Sequence, residues 1–220
     1  FGVTHHKSVL FAPISIYLFY VALNIGKSVN VLIFSILSLV LVCLLDVLYI
    51  RFVLSEYDAS YISSLVVRRL LLVPAMLDGL YIDFFSSSVK YYWSASRILS
   101  WFSESYYDYS APFIIGYEYF MDLDTSANAG IIGSGFSNAG LAGVSIYSLV
   151  LGLILAFINN YGKLIGHTFV ASGSAIVFFT VLSSTDLLTA ALSHGLVLLI
   201  VFFAILPQEP NHDGKGKTSV

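Results

Sequence analysis

The 220-residue chain is 58% hydrophobic and only 10% charged, and its formal net charge is −3. A soluble domain needs roughly 25% charged residues to cover its surface, so this composition excludes an ordinary soluble protein and predicts an integral membrane protein. The single cysteine, Cys43, excludes a disulfide within the chain.

Five apolar stretches are long enough to cross the hydrocarbon core of a bilayer as helices, which takes about 20 residues each. They are residues 9–25, 31–53, 141–158, 164–184 and 187–206. The predicted fold class is therefore all-α, a polytopic transmembrane helix bundle in one domain, 1–206, with a long external segment, 54–140. We expect the polar tail 207–220 to be disordered. Because a complete multi-spanning protein seldom begins with FGVTHHK, we expect the chain to be the C-terminal part of a longer protein.

Lysines indicate the orientation of these spans. With five spans, the turns at 26–30 and 159–163 and the C-terminal tail lie on one side, and they carry Lys27, Lys163, Lys215 and Lys217. The positive-inside rule makes that side cytoplasmic. The external segment and the link around Asp186 are then on the opposite side of the membrane.

The external segment differs in composition from the rest of the chain. It holds ten of the fifteen tyrosines, both tryptophans and nine of the thirteen acidic residues. Flexible linkers are poor in aromatic residues, so we expect this segment to fold or to lie against the membrane. Aromatic rings mixed with hydroxyls and carboxylates bind sugars well, and this mixture occurs in YYW at Tyr91–Trp93 and in SYYDYS at Ser105–Ser110. The alternative is an aromatic belt at the boundary between water and lipid.

Two adjacent arginines, Arg68 and Arg69, stand in the apolar stretch SSLVVRRLLLVPAMLDG. The thirteen residues 61–73 are too short to span as a helix, and Pro74 is expected to kink or end that helix. This pattern predicts a short re-entrant or interfacial helix. An arginine at such a depth favours an anionic partner, and a phosphate suits its guanidinium best. Snorkelling, or an ion pair with Asp78 or Asp83, is the alternative.

Three sequence features resemble the O-antigen polymerases of the Wzy type. Arg68 and Gly79 form an R-x10-G spacing, which is similar to a pattern of an external loop in that family. Residues 126–152, SANAGIIGSGFSNAGLAGVSIYSLVLG, resemble the start of a late span in oligosaccharide repeat-unit polymerases. Residues 183–195, SSTDLLTAALSHG, are similar in character to the start of a further late span. The resemblance covers roughly two thirds of the chain, from Tyr61 to Leu206.

The resemblance implies a GT-C-like membrane glycosyltransferase that needs neither a metal nor a cofactor. Its donor would be a growing glycan on undecaprenyl diphosphate, and its acceptor would be one repeat unit on the same lipid. The product would be an O-antigen or capsular-type polysaccharide. The resemblance also implies a multi-pass protein of the bacterial inner membrane, with its active site facing the periplasm. A chain-length regulator protein is a possible partner, and no nucleic-acid partner is expected.

Arginine and histidine are the predicted catalytic residues. Arg68 would stabilise the departing lipid diphosphate at low dielectric. His194 lies about eight residues into the last predicted span, where it would accept the proton of the acceptor hydroxyl, hydrogen-bond a diphosphate oxygen or bridge two helices. The candidate substrate-binding residues are Arg69, Gly79, Tyr81, Asp83, Asn128, Asn138 and Asp186.

Two other protein classes fit part of the pattern. An O-antigen ligase uses the same donor and hands the glycan to the lipid A core, so its residue types would be similar. A flippase or other transporter of lipid-linked sugars would carry charges along several spans. Here the charge is concentrated in the external segment, which favours an active site at the membrane surface.

Overall fold

The structure, a computed structural model, describes residues 7–25, 72–96 and 104–206, together with Arg68, Trp101 and isolated positions between 33 and 48. Within these residues the fold is all-helical and contains no strand, so the all-α prediction is confirmed at that level. The isolated positions between 33 and 48 are helical, and the rest of the second predicted span is outside the described residues. The fully described helices are α1 (Lys7–Asn24), α2 (Val73–Ser87), α3 (Ala111–Phe120), α4 (Ile131–Ile165), α5 (His167–Ser183), α6 (Leu187–Leu192) and α7 (Leu196–Ile205).

Helix α4 is the centre of the described fold. It packs most extensively against α2 on one side and α5 on another, and α5 in turn packs against α1. A one-residue turn at Gly166 joins α4 to α5, and its φ of 101° lies in the region that favours glycine. This turn sends the chain back along α4, so that α5 and α7 cover part of its apolar surface.

Among the described helices, α4 is the one that is long and apolar enough to cross a membrane. Shorter apolar helices are present at Pro13–Asn24, His167–Ser183 and Leu196–Ile205. Large apolar side chains on α4 and α7 are exposed, including Leu149 at 66% and Leu198 at 73%. Soluble monomers rarely expose large contiguous apolar surfaces, so this surface needs a partner such as lipid.

The long helix α4 is broken near its start. Ala139 has φ −151° and ψ 29°, and Gly140 has φ 63° and ψ −144°, which are not helical values. A first segment, 131–138, therefore ends at the break, and a second segment, 141–165, begins after it. The break coincides with the start that the sequence predicts for the third span, at residue 141. The second segment continues to Ile165, so the turn predicted at 159–163 is in fact helical.

The last predicted span, 187–206, is not one helix. It consists of α6 and α7, and Ser193, His194 and Gly195 separate them. Gly195 has a φ of 85°, which interrupts the helical path. The prediction that His194 lies within a spanning helix is therefore wrong, because the chain leaves the helix at that residue.

Pro74 stands in the first turn of α2, and helical backbone is present before it as well. Leu72 has φ −77° and ψ −44°, and both Arg68 and Leu72 are π-helical. Most of the predicted short helix 61–73 lies outside the described residues. Arg68 is described and is exposed.

Aromatic residues of the external segment form a core. Tyr81 and Phe85 on α2 are almost fully buried, and Tyr91 and Ile115 join them. Burying one large apolar side chain contributes about 1.5–3 kcal/mol, so this cluster is a substantial source of local stability. Other aromatic residues, such as Tyr92, Trp101 and Tyr106, are exposed. The aromatic residues of this segment thus form two groups, one buried and one exposed. The buried group explains why the segment folds.

A carboxylate on α2 caps the N-terminus of α4. The N-cap residue of α4 is Gly130, which has no side chain to accept a hydrogen bond. Asp78 Oδ1 instead accepts the backbone N–H of Gly133 at 2.9 Å. The first N–H groups of a helix have no partner within it, and a negative charge there is also favourable to the helix dipole. Asp78 therefore fixes α2 against the start of α4.

We expect the stability that Asp78 confers to depend on pH. Burial raises the pKa of Asp78 above its ordinary value of 3.8, and the bond from Gly133 opposes this shift. Because the folded-state pKa is the higher one, the folded protein loses stability as pH rises from about 3.8 through the folded pKa. Asp78→Asn keeps an oxygen acceptor without the charge. The melting temperature of Asp78→Asn minus that of the wild type should increase through this window and level off above it.

The control for this measurement is Asp108→Asn, because Asp108 is exposed and is not part of a helix. Its melting temperature in detergent should track that of the wild type. A difference for Asp78→Asn that decreased with rising pH would show that the ionised carboxylate is the stabilised form, contrary to this expectation.

Candidate functional site

The Tyr91–Trp93 segment docks on the break in α4. When a helix ends, its last carbonyls have no partner within the helix. The carbonyls of Ser137 and Asn138 accept the backbone N–H groups of Tyr91 and Tyr92 at 3.0 and 2.9 Å. The side-chain oxygen of Asn138 accepts the N–H of Trp93 at 2.9 Å. The break in α4 thus creates the attachment point for the aromatic segment.

This docking holds two residues in an unusual conformation. Tyr92 and Trp93 have φ values of 49° and 63°, in the left-handed region. Such a conformation costs about 1–3 kcal/mol for a residue with a side chain, and it persists when the surroundings fix it. Here the three hydrogen bonds to Ser137 and Asn138 fix it, and they orient Trp93 toward α4.

The phenol of Tyr147 is the centre of a polar network. It donates to Asp186 Oδ1 at 2.8 Å and accepts the indole N–H of Trp93 at 3.1 Å. The amide of Asn138 also reaches it, at 3.3 Å. The four residues come from the external segment, from both segments of α4 and from the start of α6. The network therefore joins parts of the chain that are far apart in sequence.

Asp186 connects this network to α6. It is the N-cap residue of that helix, and its Oδ2 accepts the N–H groups of Leu188 and Thr189 at 3.0 and 3.1 Å. Its other oxygen accepts the phenol of Tyr147. Both carboxylate oxygens thus have partners within the protein, which makes Asp186 a structural anchor of the site.

We expect Asp186→Ala to lower the free energy of unfolding by about 2 kcal/mol, because it removes an N-cap and leaves the Tyr147 phenol without its acceptor. Asp186→Asn should cost less than about 1 kcal/mol, since asparagine is also a favoured N-cap residue. Denaturation in detergent would measure both. Equal losses of stability in the two variants would show that Asp186 stabilises the fold through its charge and not through the helix cap.

A cavity of about 390 Å³ opens above this network. Small-molecule sites usually enclose about 300–1,000 Å³, so the cavity can hold a small ligand. Its walls come from the middle of α2, the start of α3, the Tyr91–Ser96 turn, the loop at 126–129, both segments of α4 and the link from Ser184 through α6 to His194. The lining residues include Tyr81, Tyr91, Trp93, Phe113, Asn128, Asn138, Tyr147, Thr185, Asp186 and His194.

Several hydroxyls that line the cavity have no hydrogen-bond partner for their side chains within the described part of the chain. The clearest is Thr185, because its residue surface is only 7% exposed and yet its hydroxyl stays accessible. Four serines that are less buried than Thr185 also lack a hydrogen-bond partner for their hydroxyls within the described residues. They are Ser96, Ser110, Ser184 and Ser193. The cavity therefore offers neutral donors and acceptors to a ligand.

Five of the residues predicted from the sequence line this one cavity. They are Tyr81, Asn128, Asn138, Asp186 and His194. Their chemical roles remain predictions, but their grouping is a property of the fold. Tyr81 is buried in the aromatic core, and its hydroxyl donates to the carbonyl of Ala127 at 2.9 Å. It contributes to the cavity wall from the core side.

The other predicted residues are elsewhere. Arg68 is exposed and is not among the described residues that line the cavity, and Arg69 is outside the described residues. Gly79 is exposed on α2, and a methyl group there would meet nothing within 4 Å. Asp83 is also exposed and accepts the phenol of Tyr119 at 2.6 Å. Burial and then this carboxylate raise the pKa of Tyr119 to about 12.

His194 is exposed in the link between α6 and α7. No hydrogen bond to its imidazole is present within the described residues, and His194 lines the cavity. Sequence reasoning placed it inside a helix, whereas it lies in the link between the two helices.

Tyr147 and Thr185 are site residues that sequence reasoning missed. The sequence did contain a signal for Tyr147, because a tyrosine within an apolar helix usually has a hydrogen-bond partner for its hydroxyl. Trp93 belongs to the aromatic YYW cluster, but nothing local indicates that this cluster meets α4. Among the described residues no group of three or more histidine, cysteine or acidic side chains is arranged to hold a metal ion.

Comparison with protein-family models, curated proteins and solved structures gives no match to this chain. The residues and the geometry of the cavity therefore carry the functional proposal.

Proposed function

We propose that this protein is a multi-pass membrane glycosyltransferase of the bacterial inner membrane that polymerises lipid-linked oligosaccharide repeat units on the periplasmic side. The observation that carries the proposal is the cavity, in which aromatic rings, amides and unpartnered hydroxyls surround a space of about 390 Å³. A sugar offers apolar C–H faces and many hydroxyls, so these walls match its chemistry.

The surroundings of the cavity support a membrane location. The cavity lies at the end of α4 where the spanning-length apolar segment begins, and exposed apolar side chains follow along that helix. A ligand anchored by a lipid tail would lie beside this apolar surface while its sugars enter the cavity. The same reasoning favours substrates linked to a lipid over free sugars.

The proposed reaction is a glycosyl transfer. A hydroxyl oxygen of the acceptor sugar forms a bond to the anomeric carbon of the donor, and the bond from that carbon to the lipid diphosphate breaks. The proton of the acceptor hydroxyl goes to the His194 imidazole, and the electron pair leaves with the diphosphate. In this proposal Arg68 stabilises the departing diphosphate outside the cavity. Asn128 binds sugar hydroxyls, whereas the Asn138 amide already bonds Trp93, Ser134 and Tyr147 and holds the cavity wall in place.

We expect His194→Gln to lower the polymerisation rate by on the order of 10²-fold, which is the low end of what a positioned base contributes. Glutamine keeps hydrogen-bonding capacity but does not titrate near neutral pH. The measurement is a polymerisation assay in membranes with defined donor and acceptor lipids. His167→Gln is the matched control, because His167 is exposed at the start of α5 and is not among the cavity-lining residues.

Near-normal polymerisation by His194→Gln would remove His194 as the base. The same assay separates the ligase alternative, since transfer of the glycan to the lipid A core, and not to a repeat unit, would identify a ligase. Movement of the lipid-linked sugar across the membrane without any new glycosidic bond would identify a transporter.

A further inference from the structure

The described residues that line the cavity carry unbalanced charges. Among the described residues that line it, Asp186 is the acidic one and His194 is the titratable base, and neither lysine nor arginine is present. The nearby amine of Lys90 is directed elsewhere. It donates to the carbonyls of Phe85 and Ser88 and lies 5.6 Å from the centre of the Phe136 ring.

A negatively charged ligand would meet the Asp186 carboxylate, and no lysine or arginine among the described lining residues would compensate for that charge. Like charges at short range in a partly desolvated site repel each other strongly. An uncharged ligand would instead meet the hydroxyls of Thr185 and Ser193 and the amide of Asn128, which are neutral donors and acceptors. The described lining therefore favours an uncharged ligand over an anionic one.

We infer that the cavity binds the uncharged sugar end of its ligand and discriminates against acidic sugars such as uronic acids. The inference rests on the proposed function and specifies its substrate class. It also separates the ligand into two parts, because the diphosphate, which carries the negative charge, would remain outside the cavity.

Tryptophan fluorescence provides a direct measurement. The chain has two tryptophans, Trp93 in the cavity wall and Trp101, which is 88% exposed. In a Trp101→Phe background, Trp93 is the reporter within this chain. The probes are disaccharide pairs of the glucose, galactose and mannose series, whose two members differ only in whether C6 is a hydroxymethyl group or a carboxylate. The protein is the full chain in detergent at neutral pH.

We expect at least one neutral disaccharide to change Trp93 fluorescence saturably, and its uronic-acid counterpart to bind on the order of tenfold more weakly. Asp186→Asn should reduce this difference in affinity between the neutral and the acidic disaccharide, because it removes the repelling charge and keeps the helix cap. Thr185→Val should weaken binding of the neutral sugar several-fold, since it removes a hydroxyl and keeps the shape. Thr180→Val is the control, because the Thr180 hydroxyl donates to Ile176 O within α5, away from the cavity.

Three results would overturn the inference. They are equal or tighter binding of the acidic disaccharide, an unchanged difference in affinity in Asp186→Asn, and no binding of any neutral disaccharide at millimolar concentration.

This test can fail or succeed independently of the proposed function. Selective neutral binding by a protein that polymerises nothing would refute the proposed function alone. Efficient polymerisation of a repeat unit with an acidic sugar in the cavity would refute the inference alone.

Discussion

Replacing Gly143 with alanine is expected to destabilise the fold by about 3 kcal/mol or more, toward the upper end of what overpacking costs. The two segments of α4 fold against each other at this residue. A Cβ atom on Gly143 would lie 2.0 Å from the carbonyl oxygen of Gly135, which is a backbone atom and cannot rotate away. The break at Ala139 and Gly140 would have to open, and the docking of Tyr91–Trp93 would be lost with it.

Thermal denaturation in detergent would measure this effect, and Gly152→Ala is its matched control. Gly152 lies in the same helix, and a methyl group there meets nothing within 4 Å. Alanine at that position should leave stability unchanged or raise it by up to about 1 kcal/mol, because glycine weakens a helix interior. Similar stabilities for Gly143→Ala and the wild type would mean that the two segments of α4 are not in close contact.

Replacing Arg68 with alanine is expected to lower polymerisation by on the order of 10³-fold while the protein level and the single-repeat glycolipid remain unchanged. The reason is that Arg68 is proposed to stabilise the negative charge that develops on the leaving diphosphate, and losing one such group costs about 10²–10³-fold. Its side chain is exposed, so its removal should not disturb a core. The readout is the ladder of glycan lengths on a gel.

Arg68→Lys should restore little of this activity, because a point charge does not reproduce the two-pronged contact of a guanidinium with a diphosphate. Lys163→Ala is the control, since Lys163 is an exposed cation near the C-terminal end of α4. Its ladder should match that of the wild type. A full ladder from Arg68→Ala would exclude Arg68 from the reaction and leave the cavity residues as the remaining candidates.

Local sequence patterns predicted several elements well. The first apolar stretch, 9–25, corresponds to α1 at Lys7–Asn24, and the switch from polar to apolar residues at 141 corresponds to the break in α4. Both succeed because a helix is made from hydrogen bonds between near neighbours, so hydrophobic periodicity and length report it directly. The same approach was wrong for the last span, because a short apolar run does not reveal that Gly195 interrupts it.

The sequence by itself determined that this chain is apolar and helical, and it also singled out Tyr81, Asn128, Asn138, Asp186 and His194 as residues of interest. That these five residues share one cavity was decided only by the tertiary structure. The contacts that bring them together join Tyr91 to Ser137 and Tyr147 to Asp186, which are 46 and 39 residues apart. Such contacts form only after α2 and α6 have packed against α4, and no local pattern of residues encodes that packing.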